Sequence, residues 1–444
     1  MSPQGPAPLT PVMPPAPSES PTPAWRILLP AGVAEVSLLA AAGWWPDLAP
    51  GWLFVTLATL AFGAYAMAAM RIRDARGGGL LIWGVAILLR LVLLPLAPEM
   101  STDVYRYLWD GHVQFSGMNP LRYAPADPAL AALRTSWFGL VPSPETLSPY
   151  PPAAQLAFLA LSVVGGTVFQ AKLLWLGFDL ATAWVLGRIA AFTGRSRRLT
   201  QLLYLWSPLL VVEVAWNAQI APMALFGLVL VVLLARAPAS AGAAGAASTL
   251  VAPVSLAAVV PLTARLGVRF LLGFIVVAAI LTLPFVSAGT GLFDGLFGYL
   301  HRTPFMAGGF TLLESVAPDT HVPRWLAFLT LAVVAVGTAA RRFRPERALL
   351  WTLGAALLLT PTFRPQYALM ILPLAALRVS LPWLLFTGLA LLPYSGLDAF
   401  RATGVWPEPV WVLTLLWLPL AALLIVDAHR LWRARFSEAA PQGP

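Results

Sequence analysis

Two carboxylates and an arginine lie close together in residues 101–120, STDVYRYLWDGHVQFSGMNP. Asp103, Arg106, Tyr107 and Asp110 are spaced i, i+3, i+4 and i+7, so a helix would place them on one face. A carboxylate in this group could accept a proton from a hydroxyl, and an arginine could bind phosphate oxygens bidentately. The same charges could instead form an ion-pair network that fixes the helix at a membrane surface.

This stretch carries the end signals of a separate helix. Ser101 or Thr102 can cap its first turn, and Gly117 can end it. A positioned general base typically contributes about 10² to 10⁴ in rate. We expect Asp103 to be that base, because it comes first on the helix and nearest the apolar run that precedes it.

The aromatic rings of the stretch offer a second kind of contact. Tyr105, Tyr107 and Trp109 could line a groove for a sugar or a prenyl chain, since apolar sugar faces stack on rings. Either carboxylate of the helix could also bind a hard cation such as Mg²⁺ or Mn²⁺, so the need for a metal stays open. With four unclustered histidines and no cysteine, the sequence argues against zinc, thiolate nucleophiles and disulfides.

The rest of the chain is strongly apolar. Of its 444 residues 59% are hydrophobic and 11% are charged, and the mean hydropathy is +0.77, far from the balance of a soluble protein. Runs such as 80–97 and 411–426 approach the roughly 20 residues that a membrane-spanning helix needs. No alternating pattern indicates a barrel. The sequence therefore predicts an all-α polytopic membrane protein.

The arginines lie between the apolar runs, which is typical of cytoplasmic loops. We therefore interpret the net charge of +9 as membrane topology and expect no nucleic-acid partner. This trend predicts about eleven spans, within a range of 10–13. Twelve candidate segments fall within this range; they lie near residues 25–45, 51–70, 78–97, 171–192, 199–215, 220–236, 268–286, 324–340, 348–363, 366–378, 381–395 and 410–427. Residues 153–169 and 247–264 are expected to be a surface helix and a half-membrane hairpin, with full spans as the alternative.

These spans together form one polytopic domain, 24–436, which two disordered tails flank. The tails are 1–23, which is rich in proline and placed in the cytoplasm, and 437–444. Residues 98–152 and 287–323 become extracytoplasmic loops, and the first carries the candidate base. We expect a multi-pass protein of the plasma or inner membrane.

Other unusual polar residues fall on the same outer face under this topology. Lys172, Glu213 and Arg364 are among them, and ionisable groups in or near hydrocarbon are costly, so their convergence suggests a site. Lys172 is the one lysine of the chain and could either bind a lipid phosphate or snorkel to the interface. Asp179, inside a span, needs a polar partner on a neighbouring helix.

Three motifs follow one another in the first outer loop: TDVYRYLWDG at 102–111, GMNPLRYAP at 117–125 and YPP at 150–152. In order and spacing they resemble the first external loop of C-type-fold membrane glycosyltransferases. The most similar are glycosyltransferase family 87 and the actinobacterial polyprenol-phosphate-mannose-dependent mannosyltransferases. Weaker similarities run through 172–180 and 206–216 to 360–374.

The resemblance implies transfer of a hexose, with mannose as the expected sugar, from a polyprenyl phosphate to an extracytoplasmic glycolipid or glycan acceptor, with inversion at the anomeric carbon. It implies Asp103 as the base and Asp110 and Glu213 as further acids. Phosphate would bind to basic side chains, namely Arg106, Lys172 and Arg364. The other expected substrate-binding residues are Tyr105, Tyr107, Trp109, Asn119, Tyr150, Gln366 and Tyr367.

The chain departs from the family pattern at three places. In the segment after Glu213, residues 259–267 read VVPLTARLG where relatives carry a Lys-x-x-P. Residues 218–221 read Ala-Gln-Ile-Ala where the family often has Gly-His-x-Asp, and Arg364 stands where many members have a histidine. Two other functions stay open. A flippase of lipid-linked sugars would show two similar halves and ionisable groups near mid-membrane, and we see no internal repeat. An inactive relative with a binding role would tolerate loss of Asp103.

Overall fold

The computed structural model describes residues 22–44, 51–72, 77–301, 304–318 and 320–438, with side chains described as far as residue 429. Within these ranges the regular secondary structure is helical, and no β-strand is formed. Most of the two expected tails, residues 1–21 and 439–444, lies outside the described residues, whereas residues 437 and 438 end the last helix.

The helices of the first half, in chain order, are α1 (Trp25–Trp44), α2 (Gly51–Arg71), α3 (Gly79–Leu93), α4 (Asp103–Phe115), α5 (Pro152–Val163), α6 (Val168–Phe192), α7 (Arg197–Leu205), α8 (Pro208–Val211) and α9 (Ala221–Leu233). Two 3-10 turns, Pro128–Leu133 and Phe138–Leu140, lie in the first loop. A π-helical turn, Val212–Trp216, follows α8 directly.

The helices of the second half are α10 (Pro238–Thr249), α11 (Val259–Leu266), α12 (Val268–Thr282), α13 (Gly291–Leu300), α14 (Gly309–Glu314), α15 (Val322–Ala340), α16 (Pro345–Leu359), α17 (Leu372–Arg378), α18 (Leu381–Leu389), α19 (Leu397–Thr403) and α20 (Val410–Glu438). Short 3-10 turns join several of them, at Pro253–Ala258, Leu283–Ala288, Pro365–Met370 and Leu392–Gly396.

Seven segments within the described ranges are long and apolar enough to cross a membrane, or eight if α7 and its continuation to Trp216 form one bent span. The seven are Trp25–Trp44, Gly51–Arg71, Val168–Phe192, Val268–Ala288, Val322–Ala340, Leu381–Thr403 and Val410–His429. The predicted class, an all-α polytopic membrane protein, is confirmed. The number is smaller than the predicted eleven, in part because the spans predicted at 78–97 and 220–236 form short apolar helices, Gly79–Leu93 and Ala221–Leu233. The regions 153–169 and 247–264, expected not to span fully, also contain short apolar helices, Pro152–Val163 and Pro253–Leu266.

The span predicted at 199–215 is broken. Its two halves, Arg197–Leu205 and Pro208–Trp216, meet at an angle of 51°. Pro208 explains the break, because proline has no N–H to donate and its ring clashes with the preceding turn. The second half then ends in the π-helical turn, a form that is frequent at functional sites.

Small residues allow α10 and α12 to pack closely. A Cβ added to Gly242 would overlap the carbonyl of Phe270, and one added to Gly273 would overlap the carbonyl of Ala239. Such small-residue contacts are common between membrane helices, where van der Waals packing drives association. The stretch predicted as a half-membrane hairpin, 247–264, is divided by the 3-10 turn at Pro253–Ala258.

Three segments meet at one end of the bundle and lead to the first loop. The start of α6 contacts the chain just after α3 through Lys172, which donates to the carbonyl of Leu94. The indole N–H of Trp216, at the end of the π-helical turn, donates to the carbonyl of Ala97 at 2.8 Å. These bonds fix the segment 94–97 that precedes Asp103.

Candidate functional site

Asp103 is the first residue of α4. Ser101 Oγ accepts a hydrogen bond from the Asp103 N–H at 3.3 Å, and Thr102 occupies the N-cap position. The helix ends at Phe115, and Gly117 follows with a φ of +81°, a value that favours glycine. The helix has the predicted ends, and its N-terminus carries the partial positive charge that favours a carboxylate.

The Asp103 carboxylate has loose contacts on both of its oxygens. Arg364 Nη1 lies 3.8 Å from Oδ1, and Gln219 Nε2 donates to Oδ2 at 3.3 Å. The Asp103 side chain is 15% exposed and that of Arg364 is 37% exposed. The two residues are far apart in sequence, yet they form a pair that solvent reaches. We call Asp103 and Arg364 the open pair.

Gln219 is held in place beside Asp103. Its Oε1 accepts from the Tyr107 hydroxyl at 3.1 Å, and its Nε2 donates to Ser101 Oγ at 2.9 Å. The preceding residue, Ala218, has a φ of +56°, a left-handed conformation that costs a non-glycine residue about 1–2 kcal/mol. This unusual backbone turn leads directly into the residue that contacts the candidate base.

Two tyrosines, the buried Tyr107 and the half-buried Tyr150, border the open pair. The rings of Tyr107 and Tyr150 meet edge to face, with centroids 5.0 Å apart, and Tyr107 stacks on Phe158 at 4.8 Å. Burial, and then the negative charge of Asp103, raises the pKa of both phenols well above the ordinary value. Both hydroxyls therefore stay protonated and can donate hydrogen bonds.

Arg364 lies among tyrosines as well. The hydroxyl of Tyr367 contacts that of Tyr299, and burial raises the pKa of Tyr367. Burial acts to lower the pKa of Arg364, but the negative charges around it, that of Asp103 first among them, together outweigh burial and the pKa is raised. Arg364 is therefore a permanent cation. Gln366, another expected substrate-binding residue, is half-buried next to Tyr367 in the 3-10 turn Pro365–Met370.

The other charged pair on α4 is fully enclosed. Arg106 Nε lies 2.9 Å from Asp110 Oδ1, and its Nη2 donates to the carbonyl of Thr146 at 2.9 Å. Asp110 Oδ2 accepts from the hydroxyl of Ser148 and from Gln155 Nε2. The side chains of the pair are 3% and 1% exposed. We call Arg106 and Asp110 the closed pair, since it ties the first loop to α4 and α5.

The expected aromatic residues of α4 divide between the site and the loop. Trp109 is buried and packs against Phe138 with ring centroids 4.8 Å apart. Tyr105 lies 6.3 Å from the Trp137 ring. These rings form a small hydrophobic cluster under the first loop, separate from the main core. Tyr107 is the aromatic side chain of α4 that borders the open pair.

Asn119 joins the two predicted outer loops. Its Nδ2 donates to the Ser287 hydroxyl at 3.1 Å and to the carbonyl of Phe285 at 3.4 Å. Both acceptors lie in the 3-10 turn Leu283–Ala288. The expected substrate-binding residue therefore acts in the structure as a link between loops.

Lys172 contacts the backbone. Its buried Nζ donates to the carbonyls of Leu94, at 3.1 Å, and Leu96. Carbonyls at the end of α3 have no partners within the helix, and a cation there also interacts well with the helix dipole. The ammonium group thus supports the segment that leads to Asp103.

Asp179 pairs with a residue of α3. Arg90 Nε lies 2.7 Å from Asp179 Oδ2, both side chains are almost fully buried, and Arg90 also donates to the carbonyl of Leu205. The pair joins three helices, α3, α6 and α7. The sequence pointed to the need for a partner of Asp179 without indicating which residue it was.

Glu213 is fully buried in the π-helical turn. Its carboxylate accepts from the hydroxyl of Tyr394 and from Asn217 Nδ2 at 3.4 Å. Asn217 directly follows the π-helical turn, whereas Tyr394 comes from the distant 3-10 turn Leu392–Gly396. Together they enclose the Glu213 carboxylate. The structure therefore places Glu213 in a buried network rather than in contact with the open pair.

Three residues that matter to the geometry were missing from the predicted site. Gln219 contacts Asp103, Tyr299 contacts Tyr367, and Tyr394 contacts Glu213. Gln219 sits where the family often has its Gly-His-x-Asp, so its position was a usable signal. Nothing in the local sequence around Tyr299 or Tyr394 points to residues so distant along the chain.

The open pair combines a solvent-accessible carboxylate with a permanent cation and phenol donors. Such a set can accept a proton from a hydroxyl and hold an anion such as phosphate. In the part of the chain that the structure describes, no group of three or more His, Asp or Glu residues could hold a metal ion. No family model matches the chain, and no curated protein or solved structure matches it.

Proposed function

We propose that the protein is a C-type-fold membrane glycosyltransferase that transfers a hexose, with mannose as the expected sugar, from a polyprenyl phosphate to an extracytoplasmic glycolipid or glycan. The open pair carries the proposal. Asp103 and Arg364 offer a base and a phosphate ligand side by side, 3.8 Å apart and open to solvent. The motif resemblance of the first loop points to the same chemistry.

In the proposed reaction the acceptor hydroxyl gives its proton to Asp103 while its oxygen attacks the anomeric carbon from the face opposite the phosphate. The bond between that carbon and the phosphate oxygen breaks, so the polyprenyl phosphate leaves with the electron pair and the carbon inverts. Arg364 stabilises the phosphate charge, since charge-assisted hydrogen bonds are about twice as strong as neutral ones. Gln219 orients Asp103 for proton transfer.

The distribution of arginines supports an extracytoplasmic site. Helix α6 starts beside the segment that leads to Asp103 and ends at Phe192, just before the arginines of 195–198. Helix α16 starts at Pro345, within the arginine cluster of 341–347, and ends at Leu359, on the way to Arg364. The arginine-rich ends are thus opposite the open pair, and such ends are typical of the cytoplasmic side. We place the N-terminus there and count the short apolar helices toward the proposed total of about eleven spans.

The rival function, movement of lipid-linked sugars across the membrane, also has an observation in its favour. Arg90 and Asp179 pair inside the bundle, and Glu35 of α1 is fully buried beside them. Among the described residues no hydrogen-bond partner reaches either carboxylate oxygen of Glu35. Ionisable groups within spans often mark transport pathways.

Purified protein in vesicles distinguishes the two functions. Vesicles would carry radiolabelled mannosyl or glucosyl polyprenyl phosphate and a membrane glycolipid extract as acceptor. The proposal expects sugar in the acceptor fraction, with the same yield from Glu35→Gln. Movement of labelled donor between leaflets without transfer, lost in Glu35→Gln, would replace the transferase with a flippase. No transfer from either donor would overturn the proposal.

A further inference from the structure

Helix α13, Gly291–Leu300, lies next to the open pair and has three distinct faces. One face packs on the first loop, the opposite face is apolar and exposed, and the third carries Asp294. The ten residues rise about 15 Å, which is half the thickness of the hydrocarbon core. The helix is therefore too short to be a span, and its faces require a different explanation.

The packed face is formed by two glycines one turn apart. A Cβ added to Gly291 would overlap the carbonyl of Leu121, and one added to Gly295 would overlap the carbonyl of Ser148. The α13 backbone thus lies directly against the backbone of the first loop. Ser148 is also a hydrogen-bond partner of the closed pair, so α13 rests on the firmly fixed part of that loop.

The same side of α13 reaches the open pair through Tyr299. Its hydroxyl contacts that of Tyr367, three residues after Arg364. Helix α13 therefore lies beside the segment that carries Arg364, although it belongs to the second predicted loop.

The opposite face of α13 is apolar and exposed. Phe293, Phe297 and Leu300 are spaced i, i+4 and i+7 and are 55%, 53% and 44% exposed. Asp294 lies to one side of this stripe and accepts a hydrogen bond from the Thr290 hydroxyl at 2.9 Å. An apolar stripe flanked by polar groups is typical of helices that lie in the membrane interface.

The chain that leads into α13 indicates what covers this face. The preceding segment, Val268–Ala288, is long and apolar enough to cross a membrane, and only 11% of its most apolar 18-residue stretch is buried within the protein, so lipid must surround most of it. Helix α13 begins three residues later, where that segment reaches the membrane surface. Its exposed phenylalanines continue the lipid-facing surface of the span.

We propose that α13 is an interfacial helix whose Phe293, Phe297 and Leu300 enter the lipid bilayer, and that it forms the wall between the lipid and the open pair. The partner of this surface is the acyl-chain region of the bilayer, at the membrane interface on the same side as the open pair. The inference goes beyond the proposed function and does not depend on it, because it concerns what surrounds the site. It also implies that an amphipathic substrate can approach the site from the bilayer beside α13.

The absence of cysteine allows a direct test with single spin labels. Phe293→Cys, Phe297→Cys and Asp294→Cys would be labelled and reconstituted in vesicles of phosphatidylcholine and phosphatidylglycerol. Ile280→Cys in the preceding span is the lipid reference, and Glu145→Cys in the first loop is the water reference; both positions are exposed. Collision with oxygen reports lipid, and collision with a water-soluble nickel complex reports water.

We expect the labels at 293 and 297 to resemble the lipid reference and the label at 294 to resemble the water reference. The labels on the apolar face should lie about 5–10 Å below the headgroups. Nickel access at 293 and 297 equal to that of the water reference would overturn the inference. If neither oxygen nor the nickel complex reached the labels at 293 and 297, a second copy or another protein would cover the face, and the inference would be wrong. Lipid contact at all three positions would mean that α13 is immersed rather than interfacial.

Discussion

The open pair and the closed pair consist of the same two residue types, and α4 carries the aspartate of each, yet they differ in distance, exposure and hydrogen bonding. Arg106 and Asp110 are 2.9 Å apart and almost unexposed, with four further hydrogen bonds to the surrounding loop and α5. Asp103 and Arg364 are 3.8 Å apart and accessible to solvent. The closed pair has no capacity left for a substrate, whereas the open pair has.

This difference shows that charge and spacing alone do not identify a catalytic group. A buried ion pair with saturated partners serves structure, and removing one member leaves the other charge uncompensated. A loosely paired carboxylate beside a permanent cation can instead exchange its partner for a substrate. Under the proposed function the closed pair stabilises the fold and the open pair performs the chemistry, and separate substitutions test the two roles.

The largest effect on stability should come from the closed pair. Asp110→Ala leaves Arg106 buried without its carboxylate, and breaking a buried pair costs about 3–5 kcal/mol. Thermal unfolding of the purified protein, followed by fluorescence, should show a markedly lower Tm. Ser148→Ala, which removes one hydrogen bond from Asp110, should have a smaller effect. An unchanged Tm for Asp110→Ala would mean that the pair does not hold the loop.

Arg364 should affect substrate binding with little effect on folding. Arg364→Gln removes the proposed phosphate ligand. A hydrogen bond to a charged group contributes about 1.5–3 kcal/mol, so KM for the proposed polyprenyl-phosphate donor should rise about 10- to 100-fold. Arg364→Lys keeps the charge and loses the planar fork, so its KM should lie between those of the wild type and Arg364→Gln. Initial-rate measurements test this order. Equal KM values for all three proteins would remove Arg364 from the site.

Two glycines of α13 make a matched pair. In Gly295→Ala the new Cβ would overlap the Ser148 carbonyl, so the helix must move away from the loop at a cost of about 1–3 kcal/mol. In Gly298→Ala the Cβ meets no atom within 4 Å. We expect a several-fold lower transfer rate for the first and a normal rate for the second. Equal rates would show that the position of α13 does not matter to the site.

The smallest effect is expected at an exposed pair near the same end. Arg401 Nη2 lies 2.7 Å from Glu99 Oε2, but the two side chains are 42% and 40% exposed. Exposed pairs contribute about 0–1 kcal/mol. Arg401→Gln should therefore leave the Tm within a few degrees of the wild type. A loss as large as that of Asp110→Ala would mean that burial does not separate the pairs as we describe.

Several features were predictable because they depend on local sequence. The long apolar runs predicted the membrane class, and the caps around Ser101 and Gly117 predicted α4. The bend at Pro208 was also encoded locally, although the predicted span ignored it. The lengths of the short apolar helices were harder to predict, since they depend on where the chain turns and not on hydropathy alone.

The difference between the open and closed pairs was not predictable. Both carboxylates have ideal helical spacing from Arg106, but Arg106 pairs with Asp110. Ser148 and Gln155, about 40 residues away, hold Asp110 in that position. Lys172 presents the same difficulty. As an isolated cation near an interface it resembled a phosphate ligand, yet the carbonyls after α3 hold it. Such choices depend on tertiary contacts that no local pattern records.

Asp103→Asn provides the most direct test of the account. Donor would be preloaded on wild type and on the near-isosteric variant, and a single turnover would be followed after adding the glycolipid acceptor. We predict that both proteins bind the donor and fold equally well, and that the variant transfers sugar about 10² to 10⁴ times more slowly, because its amide cannot accept the proton. Transfer by Asp103→Asn at the wild-type rate would contradict the assignment of chemistry to the open pair.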